Sequence, residues 1–284
     1  MSGVDTEKEV GPLNERKLRV KYELEKGEYL VAEPIVLTVW LENYGTKTEY
    51  YRRKDVGEFD LYDKEANKLK FSGRVFAESR LHREFVSGVG NGYFKAVKPG
   101  ESTEKQRMNI LDSYGSGQGG MDFYLVTGSY TATARHLLSD TSSFNVVSPK
   151  TTSDSAAMQL LIYAAENTYS EVGSYEQTYQ FYAAFVEKYP NSVYTPRALR
   201  QLLSVSSVET PGFDEVRKQY YARYMITRFP ESGFVWEALV DLNPAMVTVG
   251  EKASLVEGLQ KAKASSPSES LQRLAEDLIG ELEK

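Results

Sequence analysis

The chain has 284 residues, 41% of them apolar and 26% charged, with a formal net charge of -6, a length that supports two ordinary domains burying roughly three quarters of their unfolded surface. A mean hydropathy of -0.45 and a longest apolar run confined to Ile35 through Leu41 exclude a bilayer-spanning helix and fit a folded, water-facing protein. The absence of cysteine excludes disulfides, thiolate metal centres and a cysteine nucleophile, leaving His82 and His136 as the only imidazoles for acid–base or metal work.

Residues 1–15 read as a flexible tail. They lack the apolar run of a secretory signal, which fits a cytosolic chain or the mature form of an exported one. From Leu18 to Val147 the apolar residues recur with a period near two, the signature of strands. Leu18, Val20, Tyr22 and Leu24 open the series, and Tyr29 to Val31 follows the turn Glu25-Lys26-Gly27-Glu28. Ile35, Leu37, Val39 and Leu41 share one face of the next strand, with Val36, Thr38 and Trp40 on the other, so it reads as central. Further strands are expected at Lys47 to Arg52, Glu58 to Tyr62, Leu69 to Phe71, Leu81 to Val86, Tyr93 to Lys98, Glu104 to Leu111, Met121 to Val126, Tyr130 to Arg135 and Ser143 to Val147. Many short strands between Gly, Pro, Asn and Asp turns predict an antiparallel sandwich over 16–149.

The segments Tyr29-Leu30-Val31-Ala32-Glu33-Pro34-Ile35, Leu41-Glu42-Asn43-Tyr44-Gly45, Lys98-Pro99-Gly100-Glu101-Ser102 and Thr127-Gly128-Ser129-Tyr130-Thr131-Ala132-Thr133-Ala134 resemble the punctuation of bacterial immunoglobulin-like domains. The resemblance covers about 130 residues and carries a fold, not an activity. Gly128 two residues before Tyr130 suits a tyrosine corner, giving Tyr130 a structural role. Gly115 to Gly120 lacks the Gly-Lys-Ser/Thr ending of a phosphate loop, and Gly88, Gly90 and Gly92 are followed by a strand pattern, so neither is expected to bind a nucleotide.

After the polar break at Ser148 to Ser155 the period shifts to about three and a half, and residues 150–284 read as helices. They are placed near Asp154 to Thr168, Ser174 to Tyr189, Ser192 to Ser206, Phe213 to Phe229, Ser232 to Leu242, Gly250 to Ser265 and Ser268 to Leu282, with Asp154 or Ser155 capping the first. An internal repeat runs through them. Phe185-Val186-Glu187-Lys188-Tyr189-Pro190-Asn191-Ser192 with Ala198-Leu199 matches Met225-Ile226-Thr227-Arg228-Phe229-Pro230-Glu231-Ser232 with Ala238-Leu239, and a fainter copy sets Pro267 and Ala275 against Pro230 and Ala238. Proline ends one helix, serine or its neighbour offers an oxygen to the next, and alanine permits close helix approach. This resembles the tetratricopeptide family in its divergent form with a "kYPNS" turn. The repeats here exceed that family's usual length, with the excess near Ser204 to Gly212 and Asn243 to Gly250.

The expected architecture is therefore multidomain β + α, an immunoglobulin-like sandwich followed by tetratricopeptide-like helical hairpins, with the last helix as a polar cap. The acidic excess lies wholly in the second half, which holds 12 basic and 18 acidic residues against 22 and 22 up to Lys150. That sign disfavours nucleic acid as a partner. Arg52-Arg53-Lys54, set among Glu49, Asp55 and Glu58, reads as a solvated loop or edge. No Gly-x-Ser-x-Gly elbow, paired histidine ligands or calcium loop is present in the sequence, and no cofactor is expected. The chain thus reads as a non-enzymatic scaffold or adaptor with a protein partner. If the repeat family's geometry transfers, Arg197, Arg200, Trp236 and Glu237 lie on helices that face its groove, with packing the favoured role for Trp236 and plain solvation the alternative for the arginines. A proteinase inhibitor, from the likeness of the turns to bacterial intracellular inhibitors, and an exported carbohydrate- or surface-binding module using Tyr93 are the alternatives. The tyrosines Tyr175, Tyr179, Tyr182 and Tyr189 read as core with polar tips. Both resemblances imply an extracytoplasmic, periplasmic or secreted location.

Overall fold

The computed structural model describes residues 15–51, 59–66, 68–69, 95–109, 125, 127–134, 137–168, 175–206 and 214–284. The predicted strands at Leu81 to Val86 and Met121 to Val126 (Leu125 apart), both glycine clusters, the basic triplet from Arg52, both histidines, Tyr93 and nearly all of the tail lie outside them.

The chain passes from mixed β-sheets to helices. Strand β1 (Leu18–Leu24) buries Leu18, Val20 and Tyr22 and turns Arg19 and Lys21 outward, as a period of two demands. It pairs antiparallel with β3 (Val36–Asn43), from Leu18 opposite Asn43 to Leu24 opposite Leu37. The first sheet has the order β7 (Gln106–Asn109), β3, β1, β9 (Leu138–Ser139). The second has the order β2 (Glu28–Leu30), β10 (Ser142–Val147), β8 (Gly128–Ala134), β5 (Phe59–Asp63), and β4 (Glu49–Tyr51) pairs separately with β6 (Lys95–Val97).

The expected wholly antiparallel pairing is corrected in two places. Strand β2 runs parallel to β10, and β9 runs parallel to β1. The turn after β1 does not close a hairpin: the chain leaves the first sheet at Leu24 and enters the second at Glu28, so β2 meets a strand more than a hundred residues away. Of the strand expected at Leu69 to Phe71 only Leu69 lies within the described residues, and its N–H reaches the Leu61 carbonyl at 2.8 Å.

Val20, Leu37, Leu41, Leu61 and Ala132 are fully enclosed, and edge-to-face packing of Tyr22 on Phe59 at 5.1 Å and stacking of Tyr130 on Phe144 at 5.8 Å fill the space around them. Gly128 lies beside the phenol of buried Tyr130; a Cβ there would be 3.4 Å from its hydroxyl.

Among the described residues seven α-helices follow: α1 (Thr152–Thr168), α2 (Tyr175–Lys188), α3 (Thr195–Val205), α4 (Glu215–Arg228), α5 (Val235–Asp241), α6 (Val249–Ser265) and α7 (Glu269–Leu282). Thr151, not Asp154 or Ser155, accepts the free N–H at the start of α1, taking that of Asp154 at 3.0 Å. Helices α2 with α3, α4 with α5, and α6 with α7 pack as hairpins. The three aligned alanines, Ala198, Ala238 and Ala275, are all fully buried, so a side chain no larger than a methyl sits where each hairpin closes.

In the first two hairpin turns serine acts one step earlier than expected. Ser192 Oγ accepts from Tyr194 N–H and Ser232 Oγ from Phe234 N–H, at 3.4 and 3.2 Å, while their carbonyls accept from Thr195 and Val235 N–H. These bonds shape the turn and leave α3 and α5 without a side-chain cap. In the third turn Ser268 caps α7 directly, accepting from Leu271 N–H.

All three turns meet the β region. Tyr194 Oη donates to the Val31 carbonyl and Arg197 Nη1 to the Ala32 carbonyl, both at 2.8 Å. Gly233 lies so close to Val36 that a Cβ would fall 2.3 Å from its Cγ2. Arg107 Nη2 donates to the Ser265 carbonyl at 2.9 Å, and Glu104 accepts from Ser268 Oγ, Ser270 N–H and Ser270 Oγ at 2.7, 2.6 and 2.8 Å.

Candidate interaction site

Helix α4 is amphipathic in an unusual sense: its buried stripe of Tyr221, Ala222, Met225 and Ile226 is flanked by a second stripe of Val216, Tyr220 and Tyr224, spaced four residues apart. Val216 and Tyr220 are 68% and 52% exposed and Tyr224 is half-buried. A large apolar side chain in water on a helix that already has a core face is an available contact surface.

Beside this stripe a notch of about 170 Å³ opens between α4 and α6, lined by Tyr220, Arg223, Tyr224, Thr227, Glu251, Ser254 and Leu255. Gly258 brings the two helices together below it, since a Cβ there would lie 2.4 Å from the Ile226 carbonyl oxygen. Arg223 Nε stands 3.1 Å from Glu251 Oε1 across the notch. Hydrogen bonds from the Thr248 hydroxyl and from its N–H, the latter belonging to the capping box of α6, hold the Glu251 carboxyl below the ordinary carboxylate range.

The rings continue toward α2. Tyr220 packs on Tyr221 and Tyr224, with centroids 5.0 and 6.2 Å apart, and the hydroxyls of Tyr221 and Tyr179 meet at 3.2 Å. Arg217 lies over the Tyr179 ring at 4.1 Å and bonds Glu176 at 3.0 Å. Burial pushes the Tyr221 phenol well above its ordinary range, so it stays protonated. The result is a strip of aromatic rings edged by guanidinium and carboxylate groups, and of these tyrosine and arginine are enriched at protein contact hot spots.

Arg197, Arg200, Trp236 and Glu237, singled out in the sequence, lie on α3 and α5. Arg197 is buried on α3 and reaches the Ala32 carbonyl of the β region. Arg200 and Glu237 are brought together at 2.6 Å, tying α3 to α5, and the Arg200 guanidinium also covers the Phe234 ring at 4.8 Å. Trp236 is half-buried on α5. Of the tyrosines read as core, Tyr182 is buried, while Tyr179 and Tyr189 are only half so. The signal for the notch was present in Val216, Tyr220 and Tyr224, whose four-residue spacing defines a second stripe beside the buried one.

Among the described residues no group of three or more His, Cys, Asp or Glu side chains gathers to hold a metal ion, and no helix is long and apolar enough to cross a membrane. Compared with known families and characterised proteins, the chain matches no family model and no curated relative.

Proposed function

We propose that this protein is a non-enzymatic protein-interaction module, an immunoglobulin-like β domain joined to a tetratricopeptide-like array, that receives a partner protein on the face formed by α2, α4 and α6. The observation that carries the reading is the exposed stripe Val216, Tyr220 and Tyr224 beside the α4–α6 notch, on the first helices of hairpins whose turns are engaged by the β region. Stacked helical hairpins present extended surfaces of this kind to peptides and partner surfaces. Tyrosine offers contact area with few rotatable bonds, so little entropy is lost on binding. Export from the cytoplasm goes with the reading, through the likeness of both halves to domains of bacterial envelope proteins.

Panning a displayed random-peptide library on the full chain tests the proposal. Enriched peptides that lose binding to the Tyr220→Ala/Tyr224→Ala variant support it, whereas equal binding to that variant places recognition elsewhere.

A further inference from the structure

The β region meets the array at three successive points, in the order of the hairpins. The first turn is held at Val31 and Ala32, the second at Val36, and the third at Arg107 and Glu104. These points follow one path along β3 and its neighbour: Val36 begins β3, Arg107 lies opposite Thr38, and Thr103, next to Glu104, exchanges hydrogen bonds with Leu41. A strand advances about 3.3 Å per residue and packed helices stand about 8–10 Å apart, so about three residues of strand match one layer of helix.

The chemistry differs at each point and suits the helix end it meets. Arg107 places a cation at the carboxyl end of α6, and Glu104 places an anion at the amino end of α7, each opposing the local helix dipole. Arg107 is itself set by Glu25, 3.1 Å away at the end of β1. At the first point Ala32 has a φ of 64°, a conformation that a residue with a Cβ keeps only where its surroundings hold it. The β region closes this turn with Glu33 N–H on the Leu30 carbonyl at 3.0 Å, and the helices add the bonds from Tyr194 and Arg197.

We infer that the β region is the template that sets the opening of the α4–α6 notch, with Val36, Glu104 and Arg107 as positioning residues. The segment after α4 is fixed where Gly233 meets Val36, and α6 is fixed at its last residue by Arg107. Gly258, in close contact with Ile226, stands on α6 between Ser265 and Ser254, so a displacement at the anchor turns α6 about that contact and reaches the notch wall. This template role goes beyond partner binding, since the notch has its shape with or without a partner.

The cysteine-free chain allows a direct test with spin labels on Val216→Cys and Glu257→Cys, both exposed, in the full-length protein. The parent distance distribution is expected to be single and narrow, and in Glu104→Ala/Arg107→Ala to broaden roughly twofold, as a hinge freed at one end does. Arg273→Ala, which removes an exposed pair within α7, leaves it unchanged. An unchanged distribution in the double variant with helical content retained overturns the inference. If the double variant loses helical content, Glu104→Gln replaces it, with partial broadening expected and an unchanged width again overturning the inference.

Discussion

Arg197 donates from Nη1 to the main-chain carbonyl of Ala32 at 2.8 Å, across a separation of 165 residues. A guanidinium from a hairpin helix thereby meets a left-handed turn between two strands, and Tyr194 bonds the preceding carbonyl. Burial pushes the Tyr194 phenol far above its usual range, so it remains a donor throughout ordinary pH. The face of α3 that carries Arg197 is engaged by the protein itself, which is why the open surface lies on the first helices of the hairpins.

Tyr194→Phe removes the donor and leaves a buried carbonyl unsatisfied, at a cost of about 1–3 kcal/mol. Urea denaturation of variant and parent measures the difference. An equal midpoint shows that the hydroxyl does not join the two regions.

The buried alanines set hairpin closure. Ala198→Leu or Ala238→Leu forces the paired helices apart and lowers stability by about 1–3 kcal/mol, while Ala264→Leu, at an exposed position on α6, changes it little. Thermal melts by circular dichroism report both.

Glu104 makes one contact pH-dependent. Partial burial opposes its ionisation, but the hydrogen bonds from Ser270 and Ser268, helped by Lys95, outweigh that and lower its pKa from the ordinary 4.5. Ionised Glu104 therefore adds stability that is complete above about pH 4.5 and fades as the pH falls through the lower folded value. Glu104→Gln lacks this contribution. The stability gap between parent and variant is expected to be full at pH 7 and to close below pH 4.5; a gap that persists at the lowest pH contradicts the assignment.

Gly258→Ala inserts a methyl 2.4 Å from the Ile226 carbonyl oxygen. Backbone cannot yield as a side-chain tip does, so α6 must move from α4, at a cost of about 1–3 kcal/mol. Hydrogen exchange is expected to quicken in both helices; unchanged protection refutes the close contact.

Local structure was legible because it depends on local pattern. Alternation marked β1 and β3, and the Pro-x-Ser turns with their aligned alanines marked the hairpins, with boundaries moved by a few residues. Strand β9 escaped notice because two residues carry no period. The parallel partners of β2 and β9 escaped because pairing over a hundred residues is decided by tertiary packing. Glu104 and Ser270, 166 residues apart, leave no joint mark in the sequence. Helical periodicity tells which residues share a face, not which neighbour that face meets, so the bonds of Arg197 to Ala32 and of Arg200 to Glu237 leave no mark in the sequence.

Affinity capture from the native extract, run side by side with the parent chain and with Tyr220→Ala/Tyr224→Ala, tests the proposed recognition face most directly. The account predicts one stoichiometric partner protein on the parent that is lost from the variant while the variant keeps its helical content and melting behaviour. Recovery of the same partner in equal yield on both chains would contradict it.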